Sequence, residues 1–179
     1  MIIISGPSTV GKNPFIYEIC ERYAFTYVIP YTTRKMRYDE LEGKDYIFLS
    51  KKEFQSRIKS REMNEWDYCL ENYYGYMYDF PGNSSHITHG LSRMALRIKA
   101  KYPTEVTTVF LMPDNKDRIY NNLKQIYSGK TLYLREALVE EELCHSALFD
   151  KIFMCSNSVL DLVNKKEVMQ FLLTESQAI

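Results

Sequence analysis

The chain predicts an α/β fold: a three-layer P-loop architecture with a parallel sheet, helices on both of its faces, and a small inserted lobe of mixed sheet. Three observations carry that prediction. An apolar strand runs straight into a glycine-containing phosphate loop at the start of the chain. Strand-like runs then alternate with amphipathic helical segments. Residues 25–80 interrupt the alternation with closely spaced, antiparallel-looking strands. The alternation implies a parallel sheet, because parallel neighbours need a crossover long enough to bring the chain back.

Taken in order, Ile2, Ile3 and Ile4 are β-branched residues suited to a buried strand. Gly6-Pro-Ser-Thr-Val-Gly11-Lys12 follows, with the spacing glycine, four residues, glycine, lysine. Glycines let the backbone curl so that successive N–H groups of Ser8, Thr9 and Gly11 face an anion. The next helix adds its positive end, and Lys12 reaches the outer phosphates. Asn13 stands where the loop pattern places a metal-holding hydroxyl, and offers a carbonyl oxygen instead. Phe15, Ile16, Ile19 and Cys20 form one helical face ending near Arg22 or Tyr23, and a short strand covers Phe25 to Pro30. After a basic stretch, residues 32–40, comes a strand at Asp45–Leu49. Ser50 and Glu53 then make a capping box for a helix carrying Phe54 and Ile58 inward. A hairpin spans Asn64–Leu70 and Tyr73–Tyr78 around Glu71-Asn72. Helices at 91–100, 116–127 and 132–148, strands at 106–112 and 151–155, and a terminal helix at 159–173 complete the reading. These residues divide into a core (1–24 and 91–179, with a lid around 115–135) and the inserted lobe (25–80).

Bulk properties narrow the function. A chain of 179 residues, 45% hydrophobic, supports one domain with a proper core. Its formal net charge of zero gives no general attraction to nucleic acid or to anionic membrane, so any anion site is local. Four cysteines without a C-x-x-C pair read as reduced thiols, and no run approaches a membrane span or a signal peptide. The expected setting is cytoplasmic, with neither nucleic acid nor membrane as partner. His86 and His89 lack a third ligand nearby, so no metal site is expected from protein side chains.

GPSTVGK, YTTRKMRYDELEGKDYIFLSKKEF and EWDYCLENYYGY resemble successive landmarks of the guanylate kinase family, densely over residues 1–76 and more sparsely from Ile98 through ALFDKIF. The Tyr-, Ile-, Lys- and Asn-rich wording further resembles the homologues carried by poxviruses. The resemblance implies that the lobe binds GMP. Arg34 and Arg37 would hold its phosphate with help from the Tyr46 and Tyr74 hydroxyls, Glu40 would support the arginines, and Glu65 would accept the guanine N–H donors. It also implies ATP with Mg²⁺ as donor, Ser8, Thr9, Gly11, Lys12 and Asn13 around its phosphates, and Lys12 and Arg135 as catalytic cations. Guanidinium forks suit a phosphate dianion, and a carboxylate suits paired N–H donors.

Two acceptor-site positions depart from the family pattern. Pro30 replaces a hydroxyl residue, and Tyr76 replaces a small Ser or Thr. On the donor side, the family places an apolar strand ending in Asp beside the phosphate loop, after a crossover helix. Here Tyr76 to Gly90 offers about fifteen residues, too few for both elements. The letters DFPGNSSHITHG are also too polar. The expectation is that a helix-plus-strand piece has been lost or replaced, and the metal-holding aspartate with it. Asp114 is the nearest spare acid. The stretch NNLKQIYSGK replaces an arginine-rich lid turn, leaving Lys124, Lys130 and Arg135. Phosphoryl transfer depends on positive charge and alignment, so the reading is a GMP- and ATP-binding homologue with weak or absent transfer. The alternatives are an active guanylate kinase, a phosphopeptide-binding module using the GMP pocket, and a homologue that retains no function.

Overall fold

A computed structural model describes residues 1–82, 85–156 and 159–177. The first half of the chain folds into β1 (Ile2–Ser5), α1 (Lys12–Arg22), β2 (Thr26–Tyr27), β3 (Tyr31–Thr32), β4 (Ile47–Phe48), α2 (Lys51–Lys59), β5 (Glu65–Cys69) and β6 (Asn72–Tyr76). The second half gives β7 (His86–His89), α3 (Ser92–Lys101), β8 (Thr107–Pro113), α4 (Lys116–Ile126), α5 (Gly129–His145), a 3₁₀ turn at Ser146–Leu148, β9 (Lys151–Cys155), α6 (Val159–Val163) and α7 (Lys166–Gln177).

Five strands form a wholly parallel sheet in the order β2-β7-β1-β8-β9, flanked by helices. β1 occupies its centre, which explains its unbroken isoleucines: both faces are covered, so no alternation is needed. α1 packs with α6, and α3 with α5. The core gathers Ile2, Ile3, Ile4, Phe15, Ile16, Ile19, Val109, Phe110 and Leu111, all essentially inaccessible. The lobe is a second, mixed sheet in the order β4-β3-β6-β5, with β3 parallel to β4 and β5, β6 antiparallel. α2 starts on the expected capping box, in which the Glu53 N–H donates to Ser50 Oγ and the Ser50 N–H donates to Glu53.

Four sequence expectations need correction. The short strand at the start of the supposed lobe, β2, pairs with β7 and so belongs to the main sheet. The hairpin turns at Leu70 and Glu71, both left-handed (φ 49° and 62°), one residue earlier than expected. The terminal helix is broken in two near Asn164-Lys165. Most important, the slot beside β1 is filled. β7, the tetrapeptide His-Ile-Thr-His, runs parallel to β1 with Ile87, Thr88 and His89 buried. Among the described residues no crossover helix precedes it, and of the two expected outcomes, loss or replacement, the strand position shows replacement. Its polar letters misled because each finds a partner: Thr88 Oγ1 donates to the Val28 carbonyl at 2.6 Å, and His89 lies between two tyrosines. Asn83 and Ser84, within the stretch too short for helix and strand together, lie outside the described residues.

All four cysteines are free, and among the described residues no helix is long and apolar enough to cross a membrane.

Candidate functional site

At the carboxyl ends of β1 and β7, a cleft of about 600 Å³ opens between the phosphate loop, the lobe and α5. Parallel sheets place ligand sites at this end. The loop takes its shape from backbone demands at Gly6 and Gly11. Gly6 has φ +143°, and a Cβ there would come 2.6 Å from the Leu111 carbonyl oxygen, while Gly11 has φ +102° at the N-cap of α1. Thr9 is also left-handed (φ 68°), and its buried Oγ1 has no hydrogen-bond partner among the described residues.

Ser8, Thr9, Gly11, Lys12 and Asn13 all line the cleft, as do Arg34, Arg37, Glu40, Tyr46, Tyr74 and Arg135. The Lys12 amine folds back onto the loop, donating to the Gly6 carbonyl at 2.6 Å and the Pro7 carbonyl at 2.9 Å. Burial pulls its pKa down to about 8; Glu142 opposes the shift and Arg37 adds to it. Asn13 does not hold its amide free: Nδ2 donates to Asp45 Oδ1 at 2.6 Å. Asp45 also accepts from Tyr17 Oη and from the Leu41 N–H. Burial raises its pKa, but these donors outweigh burial and hold it below the usual range.

The lobe contributes a braced pair of cations. Arg34 makes a two-pronged contact with Glu40, Nη1 to Oε2 at 3.0 Å and Nη2 to Oε1 at 2.7 Å. The Arg37 N–H donates to Glu40 Oε2 at 2.8 Å, so one carboxylate fixes both arginines. Arg37 then reaches across the cleft to Tyr127 Oη at 2.8 Å, and its buried Nε has no partner among the described residues. Arg135, only 7% exposed, makes no hydrogen bond among the described residues; its guanidinium lies 4.9 Å from the centre of the Tyr127 ring. A buried guanidinium without an acceptor is costly unless a ligand supplies one.

Glu65 is the exception among the expected residues. It does not line the cleft: although buried, it accepts from Arg97 Nε at 3.3 Å and from the Lys101 amine, both on α3. At the tip of β7, where an acid was sought, stands His89, 2% exposed. Tyr27 Oη lies 2.9 Å from its Nδ1 and donates to the Asp45 carbonyl; Tyr46 Oη lies 3.1 Å from its Nε2. Satisfying every group at once requires Nδ1 to donate to Tyr27 and Nε2 to accept from Tyr46. Burial, reinforced by Lys12, pushes the His89 pKa down to about 3, so the ring is neutral. Asp114, the spare acid, lies outside the cleft and pairs with Arg118 at 3.3 Å.

Glu142 on α5, which its place in the acidic run Glu140–Glu142 puts on the solvent side of the helix, instead turns inward. It is 4% exposed and faces the cleft; Oε1 accepts the Ser92 N–H at 3.0 Å, and Oε2 has no partner among the described residues. Burial raises its pKa, with Lys12 opposing. Asp45 and Glu142 gave no motif signal, because the tertiary fold alone brings them to the cleft, and His89 stood out only as half of a histidine pair, not as the residue at a strand tip.

The guanylate kinase family profile matches residues 1–80. A guanylate kinase of Chlorobaculum tepidum is 30% identical over 158 residues, covering 84% of this chain and 81% of that protein. One from Mycoplasma pneumoniae is 30% identical over 152 residues, and the match spans 62% of its length. The crystal structure of guanylate kinase from Anaplasma phagocytophilum superposes with a TM-score of 0.75 at 19% identity, covering 99% of this chain and 86% of that one.

Proposed function

The chain belongs to the guanylate kinase family, and from that premise we propose that the cleft binds GMP against the lobe and ATP against the phosphate loop, with slow phosphoryl transfer between them. The observation that carries the reading is Arg135: a buried cation with no acceptor, facing the same space as Lys12 and the orphaned Nε of Arg37. Three cationic side chains converging on one cleft call for a polyanion. Arg34 and Arg37, braced by Glu40, take the acceptor phosphate. The phosphate-loop N–H groups and Lys12 take the donor phosphates once the amine leaves the Gly6 and Pro7 carbonyls.

Slow transfer follows from the donor side. The Mg²⁺ that accompanies ATP neutralises phosphate charge, and the residues present do not fit a protein-held ion. Both ring nitrogens of His89 are engaged, both Asp45 oxygens accept hydrogen bonds, and Asn13 is tied to Asp45. Among the described residues no cluster of three metal-ligating side chains forms. Guanine recognition is also weakened, because Glu65 is neutralised by Arg97 and Lys101.

A coupled ADP-release assay with GMP, ATP and Mg²⁺, run beside calorimetric titration of GMP, tests the proposal. GMP should bind, Arg37→Ala should weaken that binding at least about tenfold, and any residual turnover should vanish in Lys12→Ala. Rapid turnover by the native chain would overturn slow transfer, and absence of GMP binding would overturn the site.

A further inference from the structure

Tyr127 follows α4 and belongs to no expected site, yet both cationic halves of the cleft meet on it. Arg37, from the lobe, donates to its hydroxyl at 2.8 Å and lies 5.9 Å from the ring centre; Arg135, from α5, lies 4.9 Å from the same centre. Two guanidinium groups brought to one place repel each other, and a ring face with its negative quadrupole offsets part of that repulsion. Arg135, whose Nε makes no hydrogen bond among the described residues, rests on this ring, so the ring sets where that guanidinium points. For Arg37 the hydroxyl fixes the tip while Nε stays buried and open.

We infer that Tyr127 is a positioning residue that couples the two halves of the cleft: by holding Arg37 and Arg135 together, it makes filling the acceptor-phosphate site and seating the donor nucleotide a single linked event. The inference rests on the function proposed above. An anion held by Arg37 settles the charge on the pair and thereby pre-places Arg135 for the second nucleotide. By linkage the second nucleotide must favour the first to the same degree.

The test is GMP affinity measured by calorimetry with and without saturating ADP, in the native chain, Tyr127→Phe and Tyr127→Leu. The native chain should bind GMP about tenfold more tightly with ADP present, within the usual range of coupling. Tyr127→Phe keeps the ring and frees Arg37: GMP alone should bind roughly three- to tenfold more weakly, and the ratio should fall. Tyr127→Leu also frees Arg135, and the ratio should approach one. If Tyr127→Leu does not fold, Tyr127→Phe decides, and an unchanged ratio there overturns the inference. Loss of thermal stability with the ratio preserved would mark a structural role only and also overturn it. A native chain that binds both nucleotides without coupling refutes this inference alone, whereas one that binds neither refutes the function on which it rests.

Discussion

His89 shows how one side chain can change what a strand tip does. An acid there would present free lone pairs to the cleft; the imidazole spends both nitrogens on Tyr27 and Tyr46. Its folded pKa, about 3, lies below the ordinary histidine value, so between roughly pH 6.5 and pH 3 the unfolded chain binds a proton that the folded chain excludes. Stability therefore rises with pH across that window and is lost as pH falls through it. We expect the native chain to be about 2 kcal/mol less stable at pH 5 than at pH 7 from this group, read as a lower urea midpoint. His89→Gln, which can still donate to one tyrosine and accept from the other, should lose that part of the slope. An identical slope in the variant would show that His89 is not the titrating group. The same burial that silences His89 leaves Lys12 near the edge of its charged range, with its amine parked on loop carbonyls.

Among elements, β7 decides how far the sequence could be read. β1 and β8 were legible as short unbroken apolar runs, α1 by its apolar face, and α2 by the Ser50/Glu53 capping box, each a signal contained within the element itself. β7 was not, since His-Ile-Thr-His carries one apolar side chain, and its burial is made tolerable by hydrogen bonds to residues distant in sequence. β2 was assigned to the wrong sheet for a related reason: two residues show no period, and their partner was the unseen strand. The site divides in the same way. The loop and the arginines announce themselves by spacing, whereas Asp45, Tyr127 and Glu142 acquire meaning only when helices and lobe are assembled. Ile87 is the anchor of β7, fully buried between β2 and β1. Ile87→Ala should cost about 2–5 kcal/mol by opening a cavity at the sheet centre, measured by urea unfolding. A loss near zero would mean that β7 is peripheral to folding.

At the scale of the whole molecule, the cleft joins three separately built parts: the central sheet, the lobe and the α4–α5 pair. A ligand that bridges them should stabilise all three together. GMP at a hundred times its dissociation constant should add about 2.7 kcal/mol and raise the thermal midpoint by roughly 5–10 °C. Arg37→Ala, titrated at the same GMP concentration, should show about half of that rise or less, because a tenfold weaker site keeps only about 1.4 kcal/mol of the stabilisation. A final consequence follows from Tyr76, the last residue of the lobe's β6. It is 1% exposed within the core of the main body, and its hydroxyl donates to the His89 carbonyl at 2.6 Å. The lobe is thus nailed at its base to the very strand that ends at the cleft. That anchor ties the position of the lobe's inner edge to the strand it leans on, so a substitution that loosens Tyr76 should be felt at both sheets at once.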